Sequence, residues 1–372
     1  MDLVRLIEKI RGLRMKKVGI MTFHNAMSYG AVLQTYALQK TISDLGCDVE
    51  VIDYMCEDIY NSHVRILPKT KNIKFNIKML LMGRKRYLWR KYLRTFRHEF
   101  ITESEKADRN NLVDIGKKYD IVVAGSDQVF NDVCTKFDET YFLDFVPDKK
   151  KYSYAASFGF KELPKEREED YKRRLEGFQQ LSIREESGCD IVRNLLGRES
   201  LCNIDPTFLL NRNEWEKIVV SKERKPYILV FSVLKPLKLV DYAIELGREK
   251  NFDVLYLENY SFPPKKGLKY IGPVGPAEFI GLIKNAEYVV TNSFHGMAFS
   301  IIFHKKFGIE LNTAASRNVR SENLLKKMDL LSTEIVDGKL DIDNVNPNWE
   351  YVQEYINSEQ TKSIEYLKGI CK

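Results

Sequence analysis

The sequence is poor in cysteine and histidine and has no long apolar run, and each scarcity points away from a class of function. Its six cysteines, Cys47, Cys56, Cys134, Cys189, Cys202 and Cys371, form no C-x-x-C pair, and no histidine stands at zinc-ligand spacing from them. That argues against a zinc site and fits thiols in a reducing cytosol. No segment approaches the ~18 uninterrupted apolar residues of a membrane span. The opening Met1-Asp2-Leu3-Val4-Arg5 carries an early acid and no apolar run, unlike a signal peptide. The expected location is the cytoplasm. Also missing are a G-x-G-x-x-G fingerprint, a P-loop and a G-x-S-x-G elbow.

What is present describes a globular protein. Hydrophobic residues make up 44% and charged residues 30% of 372 residues, enough for a sizeable core and about two domains. The net charge is +7 and uneven. Between Asn61 and Phe100 twelve Lys and Arg face Glu99 alone, a local +11 that leaves −4 for the rest of the chain.

Periodicity supplies the architecture. Leu3, Leu6, Ile7, Ile10 and Leu13 recur at helical spacing. Lys17–Phe23 reads as a buried strand, Tyr29–Leu45 as a helix closed by Gly46, and Asp48–Tyr54 as a second strand, a β-α-β unit with a right-handed crossover. Asp53 stands where a ribose-binding acid would, but without the glycine fingerprint it reads as a surface acid at a strand end. Residues 61–110 interrupt the alternation as a basic helical insertion in the first domain, with Trp89, Leu93, Phe96 and Phe100 on one stripe. Strands resume at Asp120–Ala124, Lys151–Ser157, Leu181–Arg184 and Leu201–Asp205, with a helix Glu186–Leu196. Further strands and helices alternate from Tyr227 to Met328, the stretch before Pro276 reading as Pro- and Gly-rich turns. The expectation is an α/β protein of two doubly wound, Rossmann-like domains in tandem. The first covers residues 1–210, the second 211–345, and a terminal helix in 346–372 crosses back to the first. Such a pair leaves a cleft between two sets of strand carboxyl ends.

Loops at those ends are the places to look for chemistry. After the first strand come His24 and Asn25, then Ser28 as a helix N-cap and Gly30, where a ligand can approach the backbone. A second loop holds Gly125-Ser126-Asp127-Gln128. A third begins at Arg184, whose planar fork suits a carboxylate or phosphate; the competing reading is a salt bridge to Glu185, Glu186 or another acid. The fourth, Asn292-Ser293-Phe294-His295-Gly296, opens an apolar helix. Backbone N–H groups there attract an anion, Gly296 leaves room for a phosphate, and His295 can move a proton beside it. The helix end favours a neutral ring and a bound phosphate a charged one. The competing reading for His295 is simple packing at a helix start. His24 is a weaker candidate, and His63, His98 and His304 read as surface or helical positions. Arg317 and Arg320 face either the cleft or solvent.

Five segments in one order and spacing now carry a resemblance: Ser28-Tyr29-Gly30-Ala31-Val32-Leu33-Gln34, Val123-Ala124-Gly125-Ser126-Asp127-Gln128, Ser182-Ile183-Arg184-Glu185-Glu186-Ser187-Gly188, Asp205-Pro206-Thr207 and Thr291-Asn292-Ser293-Phe294-His295-Gly296. Together they resemble the polysaccharide pyruvyl transferase family over roughly residues 18–330. The resemblance implies a two-domain fold like the GT-B glycosyltransferases, phosphoenolpyruvate as pyruvyl donor, and a sugar acceptor whose two hydroxyls become a cyclic ketal. It gives His295 the place of the general acid and Arg184 that of the donor-binding arginine. On this scheme Ser293, Phe294, Gly296, Arg317 and Arg320 lie on the donor side, and Asn25, Ser28, Gly30, Ser126, Asp127 and Gln128 on the acceptor side. Neither a metal nor a redox cofactor is obligatory. One departure stands out: many members carry an arginine two residues before the motif histidine, where this chain has Ser293.

The leading expectation is therefore a ketal-forming transferase acting on a glycan or lipid-linked saccharide. The alternatives are a GT-B glycosyltransferase using a nucleotide-sugar, and a non-catalytic binding module with a basic arm for nucleic acid, a partner the leading reading does without. The basic segment adds one more expectation, peripheral docking on an anionic inner membrane face through its apolar stripe and its charges.

Overall fold

The computed structural model describes residues 15–59, 83–233, 235–236, 238–257, 265–311 and 319–372. The expected helix at residues 2–13, most of the basic segment before Gly83, His63 and Arg317 lie outside them.

β1 (Lys17–Met21), a near-continuous apolar run, is followed by the helix Tyr29–Asp44 and by β2 (Asp48–Asp53). β1 pairs in parallel with β2, Val18 opposite Val49. After the helix Gly83–Phe100 come β3 (Glu103–Lys106), β4 (Ile121–Ala124) and β5 (Lys151–Ser153), and the parallel order is β3-β2-β1-β4-β5. β4 is buried along its whole length, as expected for a central strand covered on both faces. Single pairings of Tyr152 with Gln180 and Ala156 with Ile183 lead on to β6 (Ser182–Ile183), which pairs with β7 (Leu201–Cys202).

The second sheet repeats the pattern. β8 (Tyr227–Phe231), β9 (Asp253–Leu257), β10 (Lys269–Ile271), β11 (Tyr288–Thr291) and β12 (Lys306–Ile309) stand in the order β10-β9-β8-β11-β12, all parallel. Helices Leu239–Lys250, Pro276–Asn285, Phe294–Ile302 and Val319–Lys327 alternate with these strands. In each sheet the strand order reverses at the centre, between β1 and β4 and between β8 and β11, where open α/β sheets bind ligands at the strands' carboxyl ends.

Two strands depart from the sequence reading. β3 falls inside the segment expected to be helical, and β10 inside the expected turns. Both are edge strands with a single neighbour, so neither needs the apolar run by which a buried strand is recognised.

The chain divides into two compact units. One holds the described residues up to 59, Arg97–Leu209 and Asn357–Lys372; the other holds residues 83–96 and the described part of Leu210–Ile356. The basic helix thus groups with the second unit up to Phe96, where Tyr92 lies against Gly275, rather than with the first unit as expected. Its stripe of Trp89, Leu93 and Phe96 is buried, and so is Arg86. Within the first unit the end of the helix Trp349–Cys371 is tied by Tyr366 Oη to the Ser153 carbonyl (2.6 Å) and by Ser363 Oγ to Asn203 Nδ2 (3.1 Å).

Candidate active site

In the first unit the loop after β1 is committed to internal bonds. His24 is fully buried; its Nδ1 donates to the Thr22 carbonyl (3.2 Å) and its Nε2 lies 3.1 Å from Asp53 Oδ1. Asn25 Nδ2 donates to the same oxygen (2.6 Å). The His24 hydrogen bond, first among several partners, holds the Asp53 carboxyl below its ordinary range, against partial burial. Glu103 lies 3.8 Å from His24 Nε2 and takes a forked pair from Arg97 at 2.7 and 3.4 Å. His24 is therefore a structural histidine, and Asp53 is its partner rather than a bare surface acid.

Ser28 caps the next helix, its Oγ accepting from Ala31 N–H at 3.3 Å. From that helix Gln34 reaches back, Nε2 donating to Thr22 Oγ1 (3.1 Å), and Thr22 Oγ1 donates to the Ser126 carbonyl (2.9 Å). Ser126 Oγ in turn accepts from Arg184 Nη2 at 3.0 Å, while Arg184 Nη1 stands 2.8 Å from Asp205 Oδ2. The other oxygen of Asp205 accepts from Thr207 N–H (2.9 Å) and Oγ1 (2.7 Å). Four of the five sequence segments are thereby joined in one chain of bonds: Gln34, Thr22, Ser126, Arg184, Asp205, Thr207. The side chains of Arg184 and Asp205 are only 3% and 1% exposed, so this is a buried ion pair. It is the salt bridge that the sequence left open, with Asp205 as the partner.

Asp127 sits beside this pair, Oδ1 3.7 Å from Arg184 Nη2 and its side chain 17% exposed. Its φ of 76° is strained for a residue with a Cβ. Gln128 faces the other way, its Oε1 accepting from Asn131 Nδ2 at 2.6 Å. Glu185 is buried with Oε1 taking Ser157 Oγ (3.0 Å) and the N–H groups of Phe158 (2.8 Å) and Gly159 (3.3 Å), so it braces the neighbouring loop and leaves Arg184 to Asp205.

The second unit builds its loop from neutral groups. Thr291 Oγ1 donates to the Phe231 carbonyl (2.6 Å) and accepts from Ser293 N–H (3.0 Å), and Asn292 Oδ1 accepts from Val233 N–H (2.9 Å). Ser293 Oγ caps the helix Phe294–Ile302 through Gly296 N–H at 3.3 Å. A Cβ at Gly296 would fall 2.5 Å from Thr291 Oγ1, so the space it leaves is filled by the strand and lets the helix seat against β11. His295 is 9% exposed, its ring 5.2 Å from that of Phe294. Arg320 extends over the same Phe294 ring, 5.6 Å from its centre, within cation–π range.

Charge separates this helix from its neighbours. The helices Leu239–Lys250, Pro276–Asn285 and Val319–Lys327 each carry an acid in the first turn, Asp241, Glu278 and Glu322, whereas Phe294–Ile302 has none. Glu310 adds a further carboxylate to the first of these, its Oε1 accepting from the N–H groups of Lys238 (2.6 Å) and Leu239 (2.8 Å). Bare positive helix ends attract anions, so among these four the His295 helix is the one prepared to receive them. The sequence reading named Gln34 and Asp205 within its motif segments and Asp53 at a strand end, but gave none of them its bracing partner, and it did not single out Glu310, whose partners at Lys238 and Leu239 lie some seventy residues earlier in the chain. Among the described residues no cluster of three or more His, Cys, Asp or Glu is placed to hold a metal ion.

A family model described as polysaccharide pyruvyl transferase matches residues 29–309. That span includes Ser126, Asp127, Arg184, Asp205 and His295, and stops short of Arg320. Among curated proteins no sequence matches. Among solved structures, the S. aureus MnaA–UDP co-structure aligns with a TM-score of 0.50 at 14% identity, covering 96% of this chain and 90% of that one. A putative UDP-N-acetylglucosamine 2-epimerase from Listeria monocytogenes aligns with a TM-score of 0.51 at 10% identity, covering 96% and 91%. At such identities the likeness concerns the fold alone, the GT-B pattern of two Rossmann-like domains.

Proposed function

The chain belongs to the polysaccharide pyruvyl transferase family, and from that premise we propose that it transfers pyruvyl from phosphoenolpyruvate to a sugar of a cell-surface polysaccharide precursor. His295 gives a proton to C3 of the enol, which makes C2 electrophilic. One sugar hydroxyl adds to C2 and loses its proton. The second hydroxyl displaces phosphate from C2, losing its proton in turn, and closes the ketal. The products are the pyruvylated sugar and inorganic phosphate.

The observation that carries this reading is the family match over residues 29–309. The acid-free first turn at Ser293, Phe294, His295 and Gly296 suits an anionic donor, and Arg320 on the Phe294 ring supplies a nearby cation where Ser293 does not. Arg184 stands against Asp205, Ser126 and Asp127, and by the family resemblance the proposal gives its planar fork the donor's oxyanion. Asn25, Ser28, Gly30, Ser126, Asp127 and Gln128 frame the acceptor side, with Asp127 reaching solvent beside Arg184. Thermal unfolding with each donor tests this reading. Phosphoenolpyruvate should raise Tm and a nucleotide-sugar should not; the reverse pattern would make the protein a nucleotide-sugar enzyme.

The proposal extends to contact with the membrane that displays lipid-linked saccharides. No described helix is long and apolar enough to cross a membrane. With Trp89, Leu93 and Phe96 buried, docking falls to the exposed Arg84, Lys85, Arg90, Lys91 and Arg94, at about 1 kcal/mol for each residue near an anionic surface. Co-sedimentation with anionic but not neutral vesicles, lost at high salt or when these five become Gln, is the expected result; equal partitioning of wild type and variant would remove docking from the account.

A further inference from the structure

Glu310 is a buried carboxylate that the proposed chemistry leaves unused. It follows β12, is 5% exposed, and its backbone N–H donates to the Thr291 carbonyl at the end of β11 (2.9 Å). Its side chain reaches the loop after β8 instead. There Oε1 accepts from the N–H groups of Lys238 (2.6 Å) and Leu239 (2.8 Å), at the start of the helix Leu239–Lys250. The loops after β8 and β11 are also tied directly, Asn292 Oδ1 accepting from Val233 N–H (2.9 Å). Two helix starts thus flank the reversal in strand order, and they differ. One already carries a carboxylate on its N–H groups; the other, at Ser293, has no acid. Asp241 lies in the first turn of the Leu239–Lys250 helix but is paired with Lys265. A carboxylate oxygen held by two helical N–H groups takes the position that a phosphate oxygen would take there.

We propose that Glu310 is a specificity-determining residue. Its carboxylate fills the anion position next to the His295 helix, so the second unit receives a donor with one phosphate and refuses a diphosphate such as that of a nucleotide-sugar. This rests on the donor assignment made above. A diphosphate laid across the strand reversal would set one phosphate at the Ser293 helix start and bring the other onto the Glu310 oxygen. Two negative oxygens would then compete for the N–H groups of Lys238 and Leu239, where burial strengthens their repulsion. Phosphoenolpyruvate brings a single phosphate and makes no such approach. Discrimination of this kind comes from an unfavourable contact with the wrong ligand rather than a better contact with the right one.

Calorimetric titration with inorganic phosphate and inorganic pyrophosphate at low salt tests this in wild type, Glu310→Gln and Glu310→Ala, each first shown to unfold cooperatively in urea. Wild type should bind pyrophosphate no more tightly than phosphate. Glu310→Gln keeps an oxygen for the two N–H groups but loses the charge, and Glu310→Ala loses both. The preference for pyrophosphate should rise in that order and reach about tenfold in the alanine variant. A residue that only caps the helix would lower stability in these variants and leave the preference where it was. If the alanine variant does not fold, the glutamine variant decides, by a gain or by none. A wild type that prefers pyrophosphate, or a preference unchanged in the folded variants, would overturn the proposal. Phosphoenolpyruvate, titrated in parallel, separates the two readings: if it binds none of the three proteins the donor assignment falls, and the pyrophosphate order still decides Glu310.

Discussion

Ser28 and Ser293 play the same part in the two units. Each caps a helix at the carboxyl end of a central strand through a bond of 3.3 Å, and neither helix has an acid in its first turn. Their surroundings differ. Around Ser28 the loops are bound by carboxylates, Asp53 to His24 and Asn25 and Asp205 to Arg184. Around Ser293 the bonds run through Thr291, Asn292 and backbone groups, with His295 in the helix and Arg320 over the Phe294 ring. The first loop cluster is built to hold a fixed shape, because breaking a buried ion pair leaves an uncompensated charge. The second keeps an acid-free, positive-ended helix start beside His295, the electrostatics that an incoming anion needs.

If that contrast is right, the two clusters should fail in different ways. The largest expected effect is on chemistry: His295→Ala should lower turnover about 10²–10⁴-fold while urea unfolding stays close to wild type. Near-wild-type turnover in the folded variant would return His295 to a packing role. Next is Arg184→Ala, which strands the Asp205 carboxylate in the interior and should cost about 3–5 kcal/mol in urea unfolding. Arg184→Lys keeps a charge near Asp205 and should lose less stability, but without the fork it should bind donor nearly as poorly as the alanine variant. Unchanged donor affinity in both would confine Arg184 to the salt bridge. The two caps should match each other, Ser28→Ala and Ser293→Ala each costing about 1 kcal/mol; a large inequality would mean that one serine does more than cap. The smallest effect is pH-dependent. Asp53 has a depressed carboxyl pKa in the folded state, so its contribution is present above the unfolded value of about 4 and fades as pH falls through the lower folded value. Asp53→Asn should flatten the loss of stability below about pH 4 without steepening it above.

Much of this was legible from residue patterns. The helix Glu186–Leu196 has the bounds that periodicity gave it, and the strands β1, β2 and β4 lie within the runs expected for them, because buried strands and one-faced helices write their burial into the chain. β3, with the sequence Glu103-Ser104-Glu105-Lys106, was invisible for the opposite reason: an edge strand is held by backbone bonds to β2 and needs no apolar side chains. The site was legible as a set of loops but not as a network. Arg184 could be singled out at a strand end, yet nothing local selects Asp205 over Glu185 or Glu186. Both nearer acids have other settings, Glu185 on the N–H groups of Phe158 and Gly159 and Glu186 exposed in the first helical turn. The apolar stripe of the basic helix was read correctly as a stripe, but its sequence suits a protein core as well as a membrane, and burial decided between them.

The central claim is pyruvyl transfer, and one reaction tests it most directly. Purified protein is incubated with phosphoenolpyruvate and a lipid-linked saccharide precursor, free phosphate is measured, and the saccharide is weighed by mass spectrometry. The account predicts phosphate release matched one for one by saccharide carrying a ketal-linked pyruvate, with both signals collapsing in His295→Ala. Saccharide left unchanged by phosphoenolpyruvate but extended by a sugar when a nucleotide-sugar replaces it would contradict the account.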